Sequence, residues 1–352
     1  MSKDTKPWYM LAPLAMVIVL AIGWSAFWYY AFTQSQQRYA AWEARAKASG
    51  LSLECAKQSW GGYPFRVEMG CDAAQFSRVG GGTDVVLTSR NITALTQVYS
   101  PGLVVIQFTG PSNLDINTSE GGGFAIAANH DPALASVLFS EDTPAETSLL
   151  IENLQGTLKG AKQAKAGALT ATKLNLHGRF ADPPQNGKVA YDIAAIADKF
   201  SYDGPVRDPI DGGPITFGSF VFSAKLDEMP FPWPARLNET ARVWATNTGK
   251  LQIHQLDLTR APIRASMSGE LVADAQGKLN GELAGKIVNL DKMLDRLAAS
   301  GKLSRGEASL AKNMFRMLSG NKDNAAVSTS LAVKQSKIYL GPFKVGKFAP
   351  LF

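Results

Sequence analysis

The stretch that decides the fold, residues 250–288, reads KLQIHQLDLTRAPIRASMSGELVADAQGKLNGELAGKIV. Apolar and polar residues alternate through it with a period of two, which is typical of strands with one dry and one wet face. Turn-forming residues separate three such runs, and the alternation slips once, at Gln255, as it does at a β-bulge. The stretch therefore predicts an antiparallel meander. Its candidate apolar face consists of Leu251, Ile253, Ile263, Met267, Leu271, Leu279, Leu283 and Ile287.

The same alternation recurs in segments on both sides of the meander. These segments are residues 84–94, 103–108, 124–128, 174–180 and 327–333. Residues 203–236 carry six prolines, and because proline is excluded from central strands this segment is predicted to be rich in loops. The predicted fold class is mainly β, built from antiparallel, curved meander sheets.

Glycine recurs on the predicted apolar face, at Gly269, Gly281 and Gly285. Glycine inside a strand often marks a bend or a place where another part of the chain approaches closely. We therefore expect a strongly curved sheet. Close contact with the neighbouring helical segment is an alternative explanation that the sequence leaves open.

Helical spacing replaces the period of two in residues 289–318. Leu290, Leu294 and Leu297 lie on one stripe, and Ser304 with Glu307 forms a capping-box pattern before a second amphipathic segment. We predict a short helical hairpin packed on the sheet. The sequence favours a core-packing role for it, with a lid over a lipid site or a membrane-facing element as alternatives.

The N-terminal part of the chain predicts a membrane anchor. Residues 8–32 contain no charged residue, which as a helix is long enough to cross roughly 30 Å of hydrocarbon. The run is too long for the apolar part of a cleaved signal peptide and ends in bulky aromatic residues. We predict a cytoplasmic tail at 1–7, a transmembrane anchor at 8–32, a helical stalk at 33–50 and a periplasmic domain at 51–352. Flanking charge does not decide the orientation.

The two cysteines, Cys55 and Cys71, lie on alternating segments that predict a hairpin centred on Tyr63. Such a hairpin would bring both sulfurs to one face, opposite each other. A disulfide there would persist only in an oxidising compartment, which favours the periplasm. Two buried free thiols are the alternative.

No pattern of catalytic or metal-binding residues emerges from the sequence. The net charge is +6 with acidic and basic residues interspersed, which argues against a nucleic-acid partner. His130, His177 and His254 lie far apart and have no Cys or carboxylate at metal-ligand spacing. We therefore predict a protein that is not an enzyme and that uses no cofactor, no metal and no catalytic residue.

Two motifs carry a resemblance to a known family. They are residues 61–66, GGYPFR, between the cysteines, and residues 339–346, YLGPFKVG, near the end of the chain. Together with the anchor they resemble a Gram-negative family of membrane-anchored periplasmic proteins catalogued as a domain of unknown function. The pattern of glycines, alternating leucines and a short leucine-rich helix is also similar to AsmA-like proteins, whose twisted sheets form grooves for lipid.

These features lead to two functional hypotheses for an inner-membrane protein. In the first, the curved sheet binds or shields membrane lipid and supports maintenance of the envelope. In the second, the domain is a non-catalytic scaffold or interaction module for envelope proteins. Tyr63, Pro64, Phe65 and Arg66 are either a structural turn, with Arg66 paired to a nearby acid, or a contact for a lipid headgroup.

Overall fold

A computed structural model describes residues 8–119, 121–140, 143–163, 165–208, 212–232, 237–318 and 326–352. Its helices are α1 (Trp8–Ala48), α2 (Leu237–Thr246), α3 (Leu290–Ala299) and α4 (Arg305–Leu318). The first strands are β1 (Leu51–Glu54), β2 (Lys57–Gly61), β3 (Arg66–Arg78), β4 (Thr83–Gln97), β5 (Ser100–Thr118), β6 (Gly123–Asn129), β7 (Ala133–Ser140), β8 (Thr143–Gly160) and β9 (Gly167–Phe180). The remaining strands are β10 (Lys188–Asp203), β11 (Ile215–Pro230), β12 (Lys250–Arg260), β13 (Ile263–Ala273), β14 (Leu279–Val288), β15 (Ala326–Lys334), β16 (Lys337–Leu340) and β17 (Phe343–Lys347).

The strands form one antiparallel meander, in which most strands pair with the next one along the chain. At two positions in the sheet, two short strands take the place of one long strand. β1 and β2 both pair with β3, and β6 and β7 lie end to end between β5 and β8. The predicted mainly β, antiparallel fold class with an N-terminal helix is confirmed.

The meander predicted from residues 250–288 is present as β12, β13 and β14, with the register irregularity between Ile253 and Leu256 that Gln255 predicted. The loop-rich interpretation of residues 203–236 is wrong for its middle, because β11 occupies Ile215–Pro230. β11 pairs with β10 on one side and β12 on the other, so it is an interior strand. The six prolines did not exclude a strand because they cluster outside residues 215–229.

The main hydrophobic core lies where α3 and α4 cover one face of strands β12 to β15. Leu294 and Leu297 of α3 are at most 1% exposed, and Ala311 of α4 is fully buried. They pack against Met267 and Ile287 of the meander. The capping box predicted for α4 is formed, since Ser304 N donates to Glu307 Oε2 at 2.7 Å and Glu307 N donates to Ser304 Oγ at 3.2 Å.

α1 is one continuous helix that spans the predicted anchor and stalk. Its apolar part is long enough and apolar enough to cross a membrane, with a mean hydropathy of 2.0. Its second half packs along β1 and β3 at the margin of the sheet, where Ala46 is buried. The helix is therefore both a membrane-spanning candidate and a structural part of the β domain.

Cys55 and Cys71 form a disulfide, with their Cα atoms 5.2 Å apart. The predicted disulfide is confirmed. The predicted register is wrong, because Gln58 and not Cys55 is the residue directly opposite Cys71. Cys55 instead lies in the break between β1 and β2. The disulfide therefore links the segment between β1 and β2 to β3. Cys71 of β3 is fully buried.

Candidate functional site

The strand registers place one row of apolar residues across twelve strands of the sheet, from β2 to β14. We call this set the inner row, and the side of the sheet on which it lies the inner face. Its members, in spatial order, are Trp60, Met69, Ala94, Ile106, Ala135, Leu149, Leu176, Ala195, Phe222, Leu256, Met267 and Gly285. Directly opposed residues of antiparallel strands share a face, so the row is continuous.

Exposure along the inner row is lowest towards its ends and highest in its middle. Met69 near one end and Met267 near the other are 6% and 4% exposed, whereas Leu176 on β9 is 48% exposed. Leu149 and Ala195, the direct partners of Leu176, are half-buried. The inner face is therefore covered at both ends and accessible in between.

Different helices cover the two ends. At the β2 end, the ring of Trp60 contacts Phe32 and Tyr39 of α1, with centroids 6.3 Å and 5.5 Å apart. Burial at this contact, together with the nearby Glu43 carboxylate, raises the pKa of the Tyr39 hydroxyl. At the other end, α3 and α4 cover the meander.

The apolar face predicted from residues 250–288 forms one side of the meander, but it is the covered part of the inner face. Ile253, Ile263, Met267, Leu283 and Ile287 are all buried in the core under the helices. Leu271 is buried with them, and Leu251 and Leu279 pack against the same core. These residues are therefore a closed core and not an open groove. The accessible part of the inner face lies further towards the N-terminus of the chain.

The alternation of residues 174–180 included Leu176, but sequence reasoning missed two other members of the inner row. Leu149 is in a strand that the period-two pattern did not single out, and Phe222 is in the proline-flanked segment. Phe217, Phe220 and Phe222 of β11 follow one another at centroid distances of 5.7 Å and 6.4 Å, and Phe200 of β10 stacks on Phe217. The alternation of Phe220 and Phe222 was the signal that could have revealed this strand.

The GYPFR motif lies at the turn between β2 and β3, against the aromatic residues of α1. Trp24 Nε1 donates to Pro64 O and Trp28 Nε1 donates to Arg66 O, both at 2.8 Å. The rings of Trp24 and Phe65 have centroids 5.8 Å apart. Gly62 makes the turn possible, because a Cβ there would lie 2.6 Å from Arg66 O.

The side chain of Arg66 forms an ion pair with Glu68, with Nε 2.5 Å from Oε1. This pairing agrees with the structural interpretation of the motif. Its aromatic residues Tyr63 and Phe65 pack against Trp28 and Trp24 of α1. The headgroup contact of the motif stays a prediction.

The opposite, outer face carries the histidines that the sequence left without a role. His177 and His254 line one shallow depression of about 500 Å³, together with Glu146, Arg179 and Asp192. Arg179 forms an ion pair with Asp192 there, at 3.0 Å. The two histidines, far apart in sequence, are thus brought to one depression. His130 lies elsewhere and bonds Ser112 Oγ at 2.9 Å.

A known protein family matches most of the chain. Residues 28–349, from Trp28 in α1 to just beyond β17, match the family described as "uncharacterized protein conserved in bacteria" (DUF2125). The chain belongs to this family. Comparison with curated proteins and with solved structures finds no match. The predicted membership in a bacterial family of unknown function is confirmed.

Proposed function

We propose that this DUF2125 protein binds lipid acyl chains on the accessible part of its inner face while anchored in the inner membrane by α1. The observation that carries the proposal is the continuous inner row, covered at both ends and 48% exposed at Leu176. A lipid lying along the row would contact one apolar side chain per strand. The domain would thereby support maintenance of the cell envelope.

The dimensions of the accessible segment support this proposal. It runs from Ala135 on β7 to Ala195 on β10, three strand spacings apart, or roughly 14 Å at about 4.8 Å per spacing. This length is about half the roughly 30 Å thickness of the hydrocarbon core of a bilayer, so it can accommodate an acyl chain of one leaflet. Each Å² of apolar surface removed from water would contribute about 25 cal/mol.

The contacts of α1 support retention of the helix as an anchor. Trp24, Trp28 and Phe32 lie within its apolar run, and all three contact the β2–β3 region. Cleavage of the helix as a signal sequence would remove these contacts from the folded domain. The Cys55–Cys71 disulfide supports an oxidising compartment, and hence a periplasmic location of the β domain. We propose a binding function without catalysis.

A pair of leucine variants on opposite faces tests lipid binding. Leu176 on the inner face and Leu134 on the outer face are 48% and 40% exposed, so Leu176→Asp and Leu134→Asp introduce the same charge at similar exposure. We expect the Leu176→Asp protein, purified in mild detergent, to retain several-fold less extractable phospholipid per chain than the Leu134→Asp protein. The Leu134→Asp protein should match the wild type.

Both variants keep α1, so lipid bound around the anchor contributes equally to both measurements. The difference between them reports on lipid bound to the β domain. Circular dichroism establishes that each variant is folded before its lipid is measured. Equal lipid content in the two folded variants would contradict the proposal.

The second candidate function is a non-catalytic interaction module, and one feature of α4 favours it. Leu310, Met314 and Met317 lie on one stripe at helical spacing and are 64%, 36% and 83% exposed. An apolar stripe of this kind suits contact with another protein. A wild-type chain that carries no lipid beyond that of a peptide containing α1 alone would favour this second function.

A further inference from the structure

The turn between β2 and β3 is fixed at a definite height on α1. In addition to the two indole hydrogen bonds, Ser25 Oγ and Tyr63 OH lie 2.9 Å apart, and the rings of Trp28 and Tyr63 have centroids 5.2 Å apart. With the ring contact between Trp24 and Phe65, five contacts join the turn to helix residues 24–28. The turn cannot move along the helix without breaking them.

This part of α1 lies at the boundary between hydrocarbon and water if the helix spans a bilayer. The distance from Leu11 to Trp28 along the helix is about 26 Å at 1.5 Å per residue, close to the roughly 30 Å of a hydrocarbon core. Tryptophan and tyrosine are enriched at this level, where the ring is in an apolar environment and its polar edge can bond. Trp24 lies about 6 Å deeper than Trp28 by the same rise.

The turn exposes large aromatic side chains at that level. Tyr63 and Phe65 are 59% and 60% exposed although both contact α1. The neighbouring β4–β5 turn reaches the same end of the sheet, because Val98 N donates to Phe65 O at 3.1 Å, and it exposes Tyr99 by 64%. We call Tyr63, Phe65 and Tyr99 the aromatic rim.

We propose that the aromatic rim inserts into the periplasmic interface of the same bilayer that α1 spans. The proposal rests on the anchoring role of α1 within the proposed function, but not on lipid binding by the inner row. A lipid surface is the favoured occupant, because the rim is held beside helix residues that a spanning helix buries in that interface. Insertion would fix the orientation of the β domain and hold the start of the sheet against the lipid source.

Nitroxide labels at four positions of the full chain test this insertion. The chain is reconstituted in nanodiscs of phosphatidylethanolamine and phosphatidylglycerol, and single labels are attached through Phe65→Cys, Tyr99→Cys, Ile22→Cys or Val79→Cys. The native cysteines form a disulfide and do not react. Collisions with oxygen, which concentrates in hydrocarbon, are compared with collisions with a water-soluble nickel chelate.

Ile22 is an exposed residue of the apolar run and reports on the anchor, while Val79 is the aqueous control. Val79 N donates to Gly50 O at the far end of α1, about 33 Å along the helix from Trp28 at 1.5 Å per residue. We expect the labels at positions 65 and 99 to show an oxygen-to-nickel ratio several-fold above that at position 79.

Labels at 65 and 99 that are as accessible to nickel as the label at 79 would overturn the rim proposal, provided that the label at 22 is lipid-exposed. A water-exposed label at 22 would overturn the anchor and the rim together. If Phe65→Cys disturbs the packing against Trp24, the label at position 99 still tests the insertion of the rim. Neither result depends on whether the inner row holds lipid.

Discussion

At the scale of single residues, Gly269 of β13 and Gly285 of β14 are positions of the inner face where no side chain fits. A Cβ at Gly285 would lie 2.0 Å from Ser266 O and 2.9 Å from Met267 Sδ, and one at Gly269 would lie 2.1 Å from Glu282 O. The obstacle at each position is the neighbouring strand and not the helices above it. The alternative explanation by helix contact is therefore wrong for these glycines.

Gly285→Ala should destabilise the protein, since the added methyl group forces two paired strands apart. We expect a loss of about 1–3 kcal/mol in the free energy of unfolding, measured by urea denaturation, as for other overpacked sites. Gly306→Ala in the first turn of α4 is the matched control, because the nearest atom to its added Cβ is 4.0 Å away. That variant should be as stable as the wild type or more so, by up to about 1 kcal/mol. A Gly285→Ala protein of wild-type stability would contradict this account.

At the scale of elements, Asp274 joins the β13–β14 turn to the β15–β16 turn. Its carboxylate accepts N–H groups from Lys278 at 2.8 Å, Gln276 at 3.0 Å and the Gln335 side chain at 3.1 Å. The bond from the Lys278 amide, followed by the others, holds the pKa of Asp274 below its ordinary value. Its charged form therefore stabilises the folded state.

The stabilisation by Asp274 should depend on pH in a definite direction. Because the folded-state pKa is lowered, the contribution is complete above the ordinary carboxyl pKa and is lost as the pH falls through the lowered one. Asp274→Asn should reduce the urea midpoint at about pH 7, and the difference from wild type should narrow at about pH 3. Asp115→Asn, at an exposed position of β5, is the control. A difference that stays constant between the two pH values would contradict the assignment.

The local sequence predicted some of the strands and missed others. Alternation identified β12, β13 and β14 and the bulge among them, because one face of each strand is dry and the other wet. Alternation could not place Cys55 relative to Cys71. The break between β1 and β2 shifts their register against β3, and this shift depends on the pairing with β3 and not on the local sequence. Alternation also missed Ile215–Pro230, because an interior strand flanked by prolines looks locally like a loop.

At the scale of the whole molecule, the candidate site is a property of the sheet and not of a motif. The segment with the cleanest alternation, residues 250–288, forms the closed core, whereas the accessible row is assembled from one residue on each of several strands. Leu176 has no unusual sequence neighbours, and its partners Leu149 and Ala195 become neighbours only through pairing. Sequence could therefore predict an apolar face but could not locate its accessible part.

Site-specific photo-crosslinking at Leu176 tests the central claim most directly. A benzophenone amino acid replaces Leu176 or, as the control on the outer face, Leu134, and cells grown with radioactive phosphate are irradiated before purification in denaturing detergent. We predict a phospholipid adduct on the chain labelled at position 176 and none on the chain labelled at 134. The absence of a lipid adduct at 176, or equal adducts at both positions, would contradict lipid binding on the inner face.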